Sequence, residues 1–255
     1  MRLLRFLKTP RTQKVCLDRR RLDLGSAHLI KPIYVIGDVH SCLDMLLDAE
    51  ARIRADLTGT NGLIVMLGDY VDRGPASAAV LDHLTRLEHS DLPRVSLCGN
   101  HDDMFLRVIE RRADAIAWLS FGGRETLMSY GVDFDRLMQR KGLAGVLEAA
   151  TKAVPLGHVS FLQQLPVMAR SEDYIFVHAG IRPGRRLEAQ VDEDLLWIRE
   201  PFLSEGPQLP FTVVHGHTIS RKPVFHAGRI GIDTGAYESG RLSILKVEED
   251  RVSLL

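Results

Sequence analysis

The sequence predicts an α/β fold in which a parallel or mixed sheet carries helices. Short β-branched runs end at glycine, each passes into helical periodicity, and the polar residues beyond the first three runs recur at equal intervals. The first run, Ile33-Tyr34-Val35-Ile36, ends at Gly37, and Leu43, Leu46, Leu47 and Ala49 follow at helical spacing. The second, Leu63-Ile64-Val65-Met66-Leu67, ends at Gly68 and leads to Ala79, Val80, Leu81, Leu84 and Leu87. The third, Val95-Ser96-Leu97-Cys98, ends at Gly99 and leads to Met104, Phe105, Val108 and Ile109. Three strand–loop–helix units in series place helices against a sheet. Residues 113–166 read as mostly helical, with a turn at Phe121-Gly122-Gly123-Arg124 and breaks at Pro155 and Pro166. Strands return at 174–177, 211–214, 229–232 and 242–245, and 182–210 is loop-rich.

The chain of 255 residues can bury one sizeable core. With 45% hydrophobic and 26% charged residues it is neither a disordered chain, a collagen-like fibre nor a coiled coil. Lys+Arg and Asp+Glu both number 33, so overall charge points to no nucleic-acid partner. The charge is unevenly spread, however. Residues 1–22 hold Arg2, Arg5, Lys8, Arg11, Lys14, Arg19, Arg20 and Arg21 against the single acid Asp18. Residues 1–28 are therefore read as a basic arm and 29–255 as the catalytic domain. Leu3, Leu4, Phe6 and Leu7 give the arm the pattern of a short amphipathic stub touching a membrane surface, or of a solvated tail. No apolar run reaches the length of a membrane span, and the first residues lack the continuous apolar core of a secretory signal. The scattered Cys16, Cys42 and Cys98 fit a reducing compartment, so a cytoplasmic location is expected.

Chemistry-bearing residues sit where the strands end. Asp38 and His40 follow the first; Asp69, Asp72 and Arg73 follow the second; Asn100 and His101 follow the third. His178 closes the run at 174–177, and His215-Gly216-His217 follows that at 211–214. Asp38 to Asp69 and Asp69 to Asn100 are each 31 residues, about one βαβ unit. Loops of successive units meet at the carboxyl edge of a sheet, so Asp38, His40, Asp69, Asn100, His178 and His217 should converge. Any one of them alone reads as a helix cap or a buried polar residue. Together, carboxylates so close would repel unless a cation lay between them. Oxygen and imidazole donors without thiolate suit manganese, iron or zinc, and the set is large enough for two ions sharing a carboxylate. Two such ions acidify a water between them and neutralise phosphate oxygens. Arg73 and Arg199 offer bidentate forks for phosphate, and His101, oriented by Asp72, is the natural proton donor to a leaving oxygen. His215 either touches substrate or supports the site from behind.

The motifs GDVH, GDYVDRG, GNHD, VHAG and HGHT resemble the metal-dependent phosphoprotein phosphatases within the calcineurin-like phosphoesterases, over residues 32–240. The likeness is closest to compact bacterial and phage serine/threonine phosphatases. It implies a calcineurin-like α/β sandwich, two mixed sheets flanked by helices. It also implies that Asp38 and His40 hold a first metal, that Asp69 bridges, and that Asn100, His178 and His217 hold a second. Asp72 and His101 would be the proton-donating pair, with Arg73 and Arg199 on phosphate. The implied function is a dinuclear phosphomonoester hydrolase acting on phosphorylated protein, with two divalent ions, manganese first and iron or zinc as alternatives. No dedicated regulatory subunit is expected, since the long C-terminal regions of many eukaryotic members are lacking. Ser41 replaces the glycine of the usual GDxHG and is expected to cap the next helix. Symmetrical diadenosine tetraphosphatases share GNHD but typically read GDLVARG, without the acid that here is Asp72; such a nucleotide hydrolase is the alternative. Cysteine phosphatase chemistry is excluded, because Leu22, Asp48 and Met104 stand where arginine would follow the three cysteines.

Overall fold

The computed structural model describes residues 19–25, 32–57, 62–86, 92–248 and 251–255. Two mixed sheets lie face to face. The first runs β11(Arg251–Leu254), β10(Ile244–Glu248), β2(Ile33–Ile36), β3(Leu63–Met66) and β4(Arg94–Ser96), with β2, β3 and β4 parallel. The second runs β1(Arg21–Asp23), β5(Met168–Arg170), β6(Tyr174–Val177), β7(Thr212–His215), β9(Arg229–Gly231) and β8(Val224–His226), with β6, β7 and β9 parallel. Alternation along β2 shows the layering. Ile33 and Val35 join Phe176, Val214 and Ile230 in the core between the sheets, while Tyr34 and Ile36 face a second core under the helices. Every residue of β2 and β3 is buried, which is why those runs read as continuously apolar.

The parallel trio fixes the site. Ile36, Met66 and Ser96 stand level across β2, β3 and β4, so the chain leaves all three strands at one edge. Helices α1(Leu43–Asp56), α2(Ser77–Arg86) and α3(Asn100–Ile109) follow. The helical stretch expected over 113–166 is α4(Ala115–Trp118), α5(Arg124–Ser129), α6(Phe134–Ala153) and α7(Leu156–Gln164). The turn expected at 121–124 is a widened helical turn at Leu119–Gly123 in which Gly122 has φ 104°. Short helices α8(Asp192–Trp197) and α9(Phe202–Glu205) occupy the loop-rich stretch, and α10(Ala236–Ser239) follows β9. Strands β1, β5, β8 and β11 were not expected. They are three- or four-residue edge or near-edge strands with charge or little β-branching, too short to show a period.

The basic arm needs a corrected boundary. Residues 1–18 lie outside the described residues, but 19–25 are built into the domain. Leu22 pairs with Ala169 through β1 and β5. The buried Arg19 guanidinium donates to the Asp103 carboxylate at 3.1 Å and to the Leu162 carbonyl at 2.9 Å, and its backbone N–H donates to Asp192. Charge that reads as a tail in sequence is here a buried ion pair. Arg19→Ala leaves Asp103 and two helix-end carbonyls short of a partner, and is expected to lower stability by about 3 kcal/mol in thermal or urea unfolding.

Candidate metal centre

The loops that leave the sheets hold a strained backbone. Of the eight non-glycine residues with positive φ among the described residues, six belong to these loops: His40, Ser41, Asp69, Asp72, Arg73 and His217. Each such residue costs roughly 1–3 kcal/mol, and clusters of this kind mark functional sites. Close packing holds them. A Cβ on Gly216 would lie 1.9 Å from the Asp38 carboxylate, and one on Gly99 would lie 2.1 Å from that of Asp69. Ser41 does not cap α1; Cys42 precedes that helix without a side-chain cap, and the Ser41 hydroxyl bonds that of Ser77 at 2.6 Å instead. Its φ of 62° explains why glycine is the usual residue there.

Six side chains read from the sequence as ligands meet at one buried point: Asp38, His40, Asp69, Asn100, His178 and His217. Asp69 is central. Its Oδ2 is 3.3 Å from His40 Nε2 and its Oδ1 is 3.5 Å from His178 Nε2. Asn100 Oδ1 lies 2.8 Å from His178 Nε2 and 2.9 Å from His217 Nδ1. Asp38 accepts the backbone N–H of His217 through Oδ2 at 2.9 Å, and its Oδ1 has no partner.

The tautomers show what is missing. Carbonyls only accept, so His40 Nδ1 donates to Val71 and His178 Nδ1 donates to Leu67. In the neutral rings both Nε2 atoms are then bare lone pairs, facing carboxylate and amide oxygens across the centre. Acceptors aimed at acceptors inside a buried cluster fit a cation. The electrostatics agree. Burial, then repulsion from Asp233 and Asp69, raises Asp38 well above the carboxylate range, and burial raises Asp69. Burial lowers His40 and His178 far below the usual imidazole value and takes His217 to about 3, which favours neutral, ligand-competent rings. Two groups of potential ligating atoms, each within 4.8 Å, emerge: His40–Asp69–His101 and Asp38–Asp69–His178. Asp69 belongs to both, as a shared carboxylate must.

Beside this cluster, His101 Nδ1 donates to Asp72 Oδ2 at 2.8 Å, and His101 Nε2 accepts from Arg73 at 3.2 Å. Burial works against a charged His101 ring, but Asp69 and the Asp72 hydrogen bond outweigh it and raise its pKa. Arg199 is exposed and donates to the His217 carbonyl at 3.4 Å, at the rim rather than the floor. His215 does not reach the centre. Buried against Phe202 and Arg229, it accepts Ile232 N–H through its carbonyl and so braces the turn that carries His217.

Four participants went unread in the sequence. Asp102 is fully buried, and its carboxylate accepts from the backbones of Asp69, Tyr70 and Gly99, tying two ligand loops together. As the acid at the third position of α3 it also caps that helix, accepting the Gly99 N–H. Trp118 and Thr126 donate to Asp72. The Tyr237 ring lies 5.4 Å from that of His40 with the Arg73 guanidinium over it at 4.9 Å. Phe121 and Trp197 border the centre beside His101 and His217, whereas Phe202 is core. Among the described residues, Cys42 and Cys98 are free, and no helix is long and apolar enough to cross a membrane.

Comparison with known proteins agrees with this geometry. The chain is 29% identical over 242 residues to serine/threonine-protein phosphatase 2 of Salmonella typhimurium, covering 90% of this chain and 98% of the relative. It is 32% identical over 155 residues to the symmetrical bis(5'-nucleosyl)-tetraphosphatase of Aromatoleum aromaticum, covering 60% of this chain and 45% of that protein. A solved serine/threonine phosphatase from Saccharomyces cerevisiae shares the fold, with a TM-score of 0.55 at 16% identity over 93% of this chain and 83% of the other. The family model for the calcineurin-like phosphoesterases matches residues 31–242, which include strands β2 to β9 and every ligand candidate. The chain belongs to the calcineurin-like phosphoesterase family.

Proposed function

We propose that the protein is a dinuclear-metal-dependent serine/threonine protein phosphatase. The observation that carries this reading is the buried His101–Asp72 pair set beside the doubled cluster that shares Asp69. Asp38, His40, Asp69, Asn100, His178 and His217 would hold two divalent cations, with His215 supporting the His217 turn. Bound there, the ions supply Lewis-acid neutralisation of phosphate and an acidified water. The remaining work falls to protein side chains. Arg73 reaches the centre from the Asp69 loop and Arg199 from its rim, and both donate to phosphate oxygens. Protonated at Nε2 once Arg73 has moved off that nitrogen, His101 gives this proton to the departing seryl or threonyl oxygen, a poor leaving group that needs one. Asp72 holds Nδ1 and so aims that proton. Arg73, which contacts His101 Nε2 at 3.2 Å, turns to phosphate when substrate is present.

Oxygen and imidazole donors without sulfur favour manganese, with iron and zinc as competitors. In this reading the catalytic domain begins with Arg19, residues 1–18 are the basic arm, and the site works in the cytoplasm on phosphorylated protein.

The tetraphosphatase relative keeps a second reading open, in which a nucleotide is cleaved. Asp72 argues against it, because a nucleotide leaving group is already stable as an anion. The two readings separate in one experiment. Phosphate release is measured after chelator stripping and Mn²⁺ restoration, with a phosphoserine peptide and diadenosine tetraphosphate in parallel. Activity is expected only with metal and mainly on the peptide. Faster cleavage of the tetraphosphate overturns the protein-phosphatase reading, and full activity without metal overturns both.

A further inference from the structure

Asp72 is held by more than His101. Its carboxylate is fully buried and lies in a closed set of donors. Trp118 Nε1 donates to both oxygens, at 3.1 and 2.9 Å, and the Thr126 hydroxyl donates to Oδ1 at 2.6 Å. This leaves Oδ2 as the oxygen that meets His101 Nδ1, at 2.8 Å. The Thr126 oxygen in turn accepts the Asp72 backbone N–H at 2.9 Å. Thr126 therefore grips both ends of the residue.

Proton counting gives this network a direction. A carboxylate only accepts, so the single Thr126 proton goes to Asp72. Ser77, 2.9 Å from the Thr126 oxygen, must then donate to Thr126. Ser41, 2.6 Å from the Ser77 oxygen, has two acceptors for its one proton, that oxygen and the Asp72 carbonyl at 3.3 Å. The Ser77 and Thr126 hydroxyls thus point head to tail toward one carboxylate, the first polarising the second. Ser41, where this sequence departs from the usual glycine of its motif, adjoins Ser77.

The local backbone is shaped for this contact. The widened turn Leu119–Gly123 separates Trp118 from Thr126 and lets both reach the same carboxylate. A Cβ on Gly123 would lie 2.4 Å from the Trp118 indole, and one on Gly122 would lie 2.8 Å from the Arg73 nitrogen. Two adjacent glycines therefore let the segment lie against the indole and the Asp72–Arg73 backbone together. The Gly122 carbonyl accepts the Arg73 N–H at 3.3 Å. On its other side the indole stacks on Phe105 at 5.4 Å, which fixes the direction of its N–H.

We propose that Trp118 and Thr126 are positioning residues for proton delivery, holding the Asp72 carboxylate so that Oδ2 aligns the His101 ring on the leaving group. The proposal rests on the reading of His101 as proton donor and adds the part of the chain that aims it. It predicts a dependence on leaving group. A misaligned donor costs most where the leaving oxygen must be protonated and least where it departs as a stable anion.

The test compares Trp118→Phe, Thr126→Val and Thr126→Ser, with His101→Asn as reference, in the Mn²⁺-loaded protein. Each is assayed on a phosphoserine peptide and on p-nitrophenyl phosphate, with bound metal measured. Trp118→Phe and Thr126→Val are each expected to lower kcat on the peptide on the order of 10-fold, the scale of one hydrogen bond to a charged group. KM and metal content stay unchanged, the loss on p-nitrophenyl phosphate is several-fold smaller, and Thr126→Ser restores most of the rate. Added to His101→Asn, either substitution costs little further. A readout independent of turnover comes from the indole N–H resonance of Trp118, one of two tryptophans, which should shift on Asp72→Asn. Equal losses on both substrates, lost metal, or full additivity with His101→Asn overturn the proposal. If His101→Asn itself shows no leaving-group dependence, the proton-donor reading falls and this one with it. If it does and the other variants do not, only the brace falls. Should Trp118→Phe fail to fold, the Thr126 pair carries the same test.

Discussion

Asp69→Asn is expected to abolish turnover and metal binding together, the largest effect of any single substitution in this protein. Asp69 is the one carboxylate common to both groups of converging ligand atoms, with one oxygen toward His40 and the other toward His178. An amide keeps the shape but removes the negative charge that two cations would share. Its NH₂ group would also face the bare Nε2 of His40, 3.3 Å from the present Oδ2, and offer it a hydrogen bond. The variant thus satisfies without metal a contact that the parent satisfies only with it. Metal analysis after dialysis against Mn²⁺ should find less than one ion per chain, with phosphate release at background. Thermal unfolding in chelator should show the variant at least as stable as the parent, because one of several repelling buried carboxylates is gone. Two ions retained with substantial turnover would remove Asp69 from the bridging role. A collapse of stability in chelator would show that the carboxylate is needed by the fold itself.

The second large effect is kinetic. His101→Asn should retain metal yet lose on the order of 10²–10⁴ in kcat on a phosphoserine peptide, the range for a general acid. The ring contributes no ligand in the assignment proposed here; its Nδ1 is committed to Asp72 and its Nε2 lies beside Arg73. Asparagine leaves the backbone N–H free to keep its bond to Asp69 at 3.0 Å, so the bridge need not shift. With p-nitrophenyl phosphate the loss should be smaller by one or more factors of ten, because that leaving group departs as a stable anion. Equal losses on both substrates would take His101 out of the acid role. A fall in bound metal would instead make it a ligand, as its grouping with His40 and Asp69 permits.

These two residues illustrate different kinds of legibility. Asp69 and His101 follow strands of the parallel trio, and the 31-residue spacing carries them to one edge by local rules alone. The positions of β2, β6 and the main helices were legible for the same reason, since their apolar periods repeat within a few residues. Strand β1 was not. Arg19, Arg20 and Arg21 read as solvated charge, and only the distant Asp103, Asp192 and Leu162 make Arg19 a buried residue. Ser41 was misjudged likewise, because its hydroxyl partner Ser77 comes from another helix.

By itself the sequence determined the α/β class, the loops that end the strands, and the Asp, His and Asn residues those loops bring to one place. Each of these follows from short-range pattern and from the fixed geometry of strand–helix units. Tertiary structure alone decided which side chains hold those residues still. Trp118 and Thr126 stand 46 and 54 residues from Asp72, and the Asp38 carboxylate takes its N–H from His217, 179 residues away. No period or motif encodes such contacts. They exist because buried polar groups must find partners, and the packed sheets and helices determine which partners lie within reach.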